Sequence, residues 1–128
     1  GAGVDLVLLS PGCVDVYSPK VLRAGMGAHF LLPVYNMDWE EIEQRRDHGL
    51  LGKDFFITDV NEGISCWETD LRHPLTLVIG SEAEGISPQA IHLATGRIHI
   101  PMQGKIESLN ASIAASILIY EVFRQRNL

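Results

Sequence analysis

The 128-residue sequence predicts an α/β domain built on a mainly parallel sheet. Three observations lead to that fold class. Short apolar runs recur at strand length, and between them fall segments opened by helix N-cap signals. The first run, residues 4–9, is predominantly apolar, as in a strand buried on both faces. The last stretch, residues 97–126, reads as a strand, a polar loop and a long helix that is apolar on nearly every side.

Residues 4–9 form the first expected strand. Ser18-Pro19 supplies an N-cap followed by proline in the first turn, where a missing N–H costs little, and starts a helix through residues 20–27. Residues 29–34 are the second expected strand, closed by Pro33 and Tyr35. Asp38, with Glu41 three residues on, fits a capping box and opens a polar helix to about His48, which Gly49 ends. Residues 53–60, with Phe55, Phe56 and Ile57, are the third strand. Residues 61–74 are polar and aromatic without a period and are expected to be mostly loop. Residues 75–79 are the fourth strand, and Ser87-Pro88 repeats the cap-and-proline device for a short helix that Gly96 ends. Residues 97–101 are the fifth strand. Ser108 stands in a good N-cap position for the final helix, residues 108–126. Its run of Leu, Ile, Ala and Val leaves no wet face, so the helix is expected to be covered by its own sheet and by a second subunit, with Ile117 and Leu118 at that interface.

With 46% hydrophobic and 20% charged residues, the chain suits one globular domain with a core and is short for two. Asn110, Ser112, Ser116 and Glu121 interrupt the final helix, so no membrane span is expected. The opening Gly1-Ala2-Gly3, without a methionine or an apolar leader, is expected of an excised or processed domain. Cys13 and Cys66 have neither metal-ligand spacing nor a disulfide framework, which points to a reducing compartment and no metal. A net charge of −6 argues against broad, non-specific binding to nucleic acid and leaves room for a local basic patch.

In open parallel sheets, ligands bind where strand C-termini meet helix N-termini, which selects residues 80–85 and 102–110. Residues 80–85, GSEAEG, contain neither a nucleotide-triphosphate loop nor a dinucleotide fingerprint, and two carboxylates there would repel phosphate. The segment reads either as a turn whose glycines supply positive φ, or as a loop whose glycines admit a ligand to the backbone while Glu82 orients a hydroxyl or an arginine. Asn110 is an odd choice inside a buried helix, because an unpaired amide there would cost about 1–3 kcal/mol. Lys20 and Arg23 share a helical face and read either as a solvated pair or as phosphate contacts. The histidines at 29, 48, 73, 92 and 99 are scattered and read as structural or surface residues.

LVIGSEAEGIS (residues 77–87) and IPMQGKIESLNASIAASILIYEVFRQ (residues 100–125) closely resemble motifs two and three of the SPOUT superfamily, specifically of SpoU-type, TrmH-like RNA ribose 2′-O-methyltransferases. LLSPGCVDVYSPKVLRAGMGAHFLLPV (residues 8–34) looks like the region that follows motif one in those enzymes. The resemblance covers nearly the whole chain. It implies a single Rossmann-like, parallel-sheet methyltransferase domain over residues 1–128, closed by a C-terminal trefoil knot that holds S-adenosylmethionine in a bent form. Carried over to matching positions, the resemblance assigns cofactor contact to Thr58, Gly80, Ile100, Met102, Ser108 and Leu109. It assigns the arrangement of the catalytic centre to Glu82, Ser108 and Asn110. Lys20 and Arg23 become candidates for RNA contact, and the final helix matches the family's homodimer interface.

The reaction so implied is attack of a ribose 2′-hydroxyl of rRNA or tRNA on the sulfonium methyl group, in the cytoplasm and without a metal. A hydroxyl is a poor nucleophile at neutral pH, so such a site has to align it and help remove its proton. The family's motif one, which supplies an Asn and an Arg, has no counterpart among these residues, and the resemblance therefore implies an N-terminally truncated form. Neither Arg23 nor Lys105 stands at the matching position. Two other readings stay open. One is a catalytically incomplete cofactor-binding and dimerisation module of the same fold; the other is a flavodoxin-like or phosphate-binding α/β domain, which fits the composition but not Ser108-Leu109-Asn110.

Overall fold

The computed structural model describes residues 1–13, 15–60, 62–81, 84–104 and 108–128. They form two compact units, one running from Gly3 to Ile42 and the other from Glu43 to Leu128.

In the first unit, strand β1 (Val7–Leu9) pairs in parallel with β2 (Val34–Asn36), with helix α1 (Pro19–Gly25) between them in sequence. Ser18 caps α1 as expected, its hydroxyl accepting from the Val21 amide at 3.4 Å. The expected strand over residues 29–34 is displaced. Ala28–Phe30 form a 3-10 turn instead, and extended structure begins only at Val34. Gly27, at φ +87°, turns the chain so that the Phe30 and Leu31 amides bond back to Gly27 and Ala28, which uses the donors a strand would need. His29 is structural here, its Nε2–H donating to the Val16 carbonyl at 2.8 Å. Helix α2 (Trp39–Asp47) is opened by Asp38, whose carboxylate accepts from the Glu41 amide at 2.8 Å, and it runs from the first unit into the second.

The second unit is built on a four-stranded, all-parallel sheet of β3 (Asp54–Asp59), β4 (Ile64–Ser65), β5 (Leu75–Val78) and β6 (Gly96–His99), in the spatial order β4-β6-β3-β5. Helix α3 (Pro88–Leu93), capped by Ser87, precedes β6, and helix α4 (Ala111–Arg126) follows it. Alternation along β3 sends Phe55 and Ile57 to one face and Phe56 to the other. On the Phe56 face, Ile98, Leu118, Val122, Cys66 and Leu71 form the core, with Leu75, Leu77 and Ile100 packed on it. Burial pushes the Cys66 thiol above its ordinary range. On the other face the Arg46 guanidinium lies 5.9 Å from the centre of the Phe55 ring and donates to the Leu93 carbonyl.

Residues 62–74 are mostly loop, as expected, yet they carry structure that their sequence did not announce. They contain β4 and two fully buried core residues, Cys66 and Leu71, held to α4 by one side chain. Gln125 donates to the carbonyls of Cys66 (3.3 Å) and Thr69 (3.1 Å) and accepts from the Leu71 amide at 2.8 Å. Beside it Glu121 is nearly buried, paired with Arg124 at 2.8 Å. The hydrogen bonds from Arg124 hold the Glu121 carboxyl below its usual range, against the cost of burial. A depressed carboxyl contributes stability above the ordinary carboxylate range and loses it as pH falls through the lowered value. Glu121→Gln is therefore expected to cost about 1 kcal/mol at neutral pH, a modest figure because Arg124 is half exposed. In urea melts, the gap between the two proteins should close on acidification; a gap independent of pH would count against the ion pair.

Helix α4 also corrects two expectations. Asn110, not Ser108, is its N-cap: the Asn110 Oδ1 accepts from the amides of Ser112 (2.9 Å) and Ile113 (3.4 Å). Asn110 is exposed at the helix mouth rather than buried within it. In the single chain Ile113, Ile117, Tyr120 and Phe123 of α4 stand exposed along one stripe. Leu118, expected on that stripe, is core, with 1% of its surface accessible. No helix among the described residues is long and apolar enough to cross a membrane.

Candidate functional site

The carboxyl ends of β3, β5 and β6 converge in the second unit, and the segment leading into α4 passes beside them. Between these elements lies a cleft of roughly 670 Å³. Its position follows from the parallel sheet: each strand delivers its following loop to the same edge.

Each loop contributes in a way its sequence explains. At the end of β3, the Thr58 hydroxyl donates to the Val78 carbonyl at 3.2 Å, tying β3 to the last residue of β5. After β5 the chain turns tightly: the Ser81 and Gly85 amides bond reciprocally to each other's carbonyls at 3.2 and 2.9 Å, with Gly85 at φ +69°. Gly80 packs so closely that an added Cβ would lie 2.7 Å from the Gly85 carbonyl carbon. The reading as a glycine turn is met, with Gly85 at positive φ, and Gly80, Ser81 and Gly85 also line the cleft. After β6, Ile100 and Met102 line the next wall, and Ser108, Leu109 and Asn110 close the site at the mouth of α4.

All six residues assigned to cofactor contact, Thr58, Gly80, Ile100, Met102, Ser108 and Leu109, therefore line one cleft together with Asn110. Glu82 lies outside the described residues. Lys20 and Arg23 are exposed on α1 in the first unit and are not among the residues of the cleft.

Four polar residues of the cleft carry no assignment from sequence: Asp59, Ser81, Arg97 and His99. Arg97 Nη1 donates to Asp59 Oδ2 at 3.1 Å and to Glu62 Oε2 at 2.7 Å. The Nδ1 of His99 is buried without a hydrogen-bond partner, although its scattered position in the sequence reads as structural. A signal was present: Arg97 and His99 fall two apart in a strand that is otherwise apolar, which puts two polar side chains on one face.

The rest of the lining is peptide backbone and apolar side chains, among them Ile79, Ile86, Met102 and Leu109. Among the described residues no group of His, Cys, Asp or Glu could hold a metal ion. Such a cleft suits a ligand with a flat or aliphatic body and hydrogen-bonding edges and does not suit a polyphosphate.

The profile of the SpoU rRNA Methylase family matches residues 1–120. The chain is 34% identical to the mitochondrial rRNA methyltransferase 3A of Danio rerio, across 97% of this chain and 38% of the zebrafish protein. Among solved structures, an RNA 2′-O ribose methyltransferase matches with a TM-score of 0.84 and 36% identity, over 99% of this chain and 48% of that one. The SpoU methyltransferase AviRb from Streptomyces viridochromogenes, solved in complex with AdoMet, matches with a TM-score of 0.84 and 31% identity, over 98% of this chain and 51% of AviRb. The chain thus spans between about two-fifths and a half of the proteins it matches.

Proposed function

Because this chain belongs to the SpoU rRNA Methylase family, we propose that it acts as a methyltransferase that uses S-adenosylmethionine to methylate a ribose 2′-hydroxyl of rRNA or tRNA. The observation that carries the proposal is the convergence of Thr58, Gly80, Ile100, Met102, Ser108 and Leu109, from three separate loops, on one cleft at the sheet's carboxyl edge. The matched proteins support the reaction class: one is a 2′-O ribose methyltransferase and another was solved with AdoMet.

The residues present fit that cofactor. The walls around Ile79, Ile86 and Leu109 suit a nucleoside, the crowded Gly80 turn presents backbone in place of side chains, and His99 Nδ1 is a buried polar atom in want of a partner. When bound, S-adenosylmethionine supplies a methyl group already activated by its sulfonium charge. The chain's own part is to exclude water with the apolar wall and to orient the incoming hydroxyl through Ser108 and Asn110 at the mouth of α4, with Glu82 assigned to the same task by the family pattern. Lys20 and Arg23 are proposed as phosphate contacts for RNA. The assignment of residues 1–128 to a single methyltransferase domain, with the family's C-terminal trefoil knot, belongs to the same proposal; its support is a family match that spans both units. A homodimer is proposed through the exposed stripe of α4, on the ground that Ile113, Ile117, Tyr120 and Phe123 form a continuous apolar surface. The cytoplasm is proposed as the compartment on the unpaired state of Cys13 and Cys66.

One observation favours a second reading, that of a catalytically incomplete cofactor-binding and dimerisation module. Arg97, the one arginine among the described residues of the cleft, is already engaged by two carboxylates. Titration calorimetry with S-adenosylmethionine, followed by a methyl-transfer assay on bulk rRNA and tRNA with 2′-O-methyl nucleosides as readout, separates the possibilities. Binding with transfer is the expected result. Binding without transfer supports the module, and no binding at about 1 mM cofactor removes both.

A further inference from the structure

Arg97 has no part in the proposed chemistry, yet its side chain joins two strands and a turn at the edge of the cleft. In the sheet order β4-β6-β3-β5, the chain leaving β3 must pass β6 to reach β4. Residues 60–63 are all that separate β3 from β4, whereas a parallel connection ordinarily takes about a dozen residues. The described end of this crossing, at Gly63, lies close against β6. Gly63 shows how close: at φ +85°, an added Cβ would stand 2.1 Å from the Arg97 carbonyl oxygen. The Arg97 side chain completes the fastening. It reaches Asp59, where the crossing begins, and Glu62, just before Gly63.

We propose that Arg97 is a positioning residue for the cofactor: by gripping Asp59 and Glu62 it holds the end of β3 and the crossing that follows in the shape that binds S-adenosylmethionine. The proposal rests on the cofactor reading of the cleft. Thr58, Asp59 and Val60 all contribute to the cleft wall, so any shift of this crossing changes the wall directly. Without the guanidinium, Asp59 and Glu62 lose the positive charge that they share across the turn. The Arg97 and Asp59 side chains are only 35% and 31% accessible, so the pair is partly shielded, whereas Glu62 at 72% contributes less.

Titration calorimetry with S-adenosylmethionine and with its demethylated product, S-adenosylhomocysteine, tests this on the unsubstituted protein and on Arg97→Gln, Arg97→Lys and Glu62→Gln, each checked for a cooperative melt. Arg97→Gln is expected to raise both dissociation constants by the same factor, roughly 3- to 10-fold, because the wall and not the sulfonium is affected. Arg97→Lys should recover part of the loss, and Glu62→Gln should weaken binding by about 2-fold. Unchanged affinity in Arg97→Gln overturns the proposal, and so does an unequal loss for the two ligands, which would mean direct contact with the charged centre. If Arg97→Gln does not melt cooperatively, unchanged affinity in Glu62→Gln decides against it. Absence of binding by the unsubstituted protein instead overturns the cofactor reading beneath it.

Discussion

Leu118→Glu is expected to abolish the cooperative thermal transition of the second unit, while its neighbour Ile117→Glu leaves that transition in place. Leu118 has 1% of its surface accessible and packs among Cys66, Leu71, Ile98 and Val122, under the sheet. A glutamate there loses the packing of a buried leucine and strands a carboxylate among apolar groups. The packing loss alone is worth about 2–5 kcal/mol, and the unpaired charge adds to it. A loss of that size is comparable to the whole stability of an ordinary domain, about 5–15 kcal/mol. Ile117, one position earlier, is 39% accessible and points along the stripe with Ile113 and Tyr120. A charge there costs the monomer little and would break an interface between two such stripes. Given the proposed homodimer, sedimentation should then show a dimer for the parent and a monomer for Ile117→Glu. An identical profile would remove α4 as the interface, and a Leu118→Glu protein that melts within a few degrees of the parent would contradict the packing described here.

Asn110→Ala is expected to reduce methyl transfer by at least about 100-fold, the size of loss seen when one preorganised hydrogen-bonding group is removed from an active site. Its effect on stability should be much smaller. Asn110 caps α4 through the amides of Ser112 and Ile113, and loss of such a cap costs about 1 kcal/mol. The two roles separate in Asn110→Asp, whose carboxylate keeps the cap and lacks the amide N–H₂. If the amide serves the reaction, the aspartate variant melts like the parent and remains inactive. Transfer restored by aspartate would show that Asn110 acts only by shaping the helix mouth, and the catalytic role proposed for it would be withdrawn.

The periodic parts of the chain were open to sequence reasoning because their causes are local. Ser18 and Ser87 each precede a proline and each caps a helix, and β3 and β5 lie where runs of apolar residues place them. Residues 102–110 pointed to a ligand loop, and Met102, Ser108, Leu109 and Asn110 of it line the cleft. Where the reading went astray, a distant partner or a single left-handed residue decided the outcome. Gly27 turned residues 28–30 into a 3-10 helix in place of a strand. Cys66 and Leu71, in a loop without any period, became core because Gln125, more than fifty positions away, satisfies the backbone around them. The start of α4 moved from Ser108 to Asn110; both can cap, and nothing local discriminates between them.

The sequence alone therefore determined the class of fold, the positions of its capped helices and longer strands, and which loops bear the polar residues of a site. These depend on side-chain periodicity and on caps within a few residues of one another. Only the tertiary structure decided that three loops share one cleft, that Leu118 faces the core while Ile117 faces outward, and that Arg97 fastens the crossing after β3. Each of those depends on which strands lie side by side, and strand order is set by burial across the whole sheet, a quantity no local window contains.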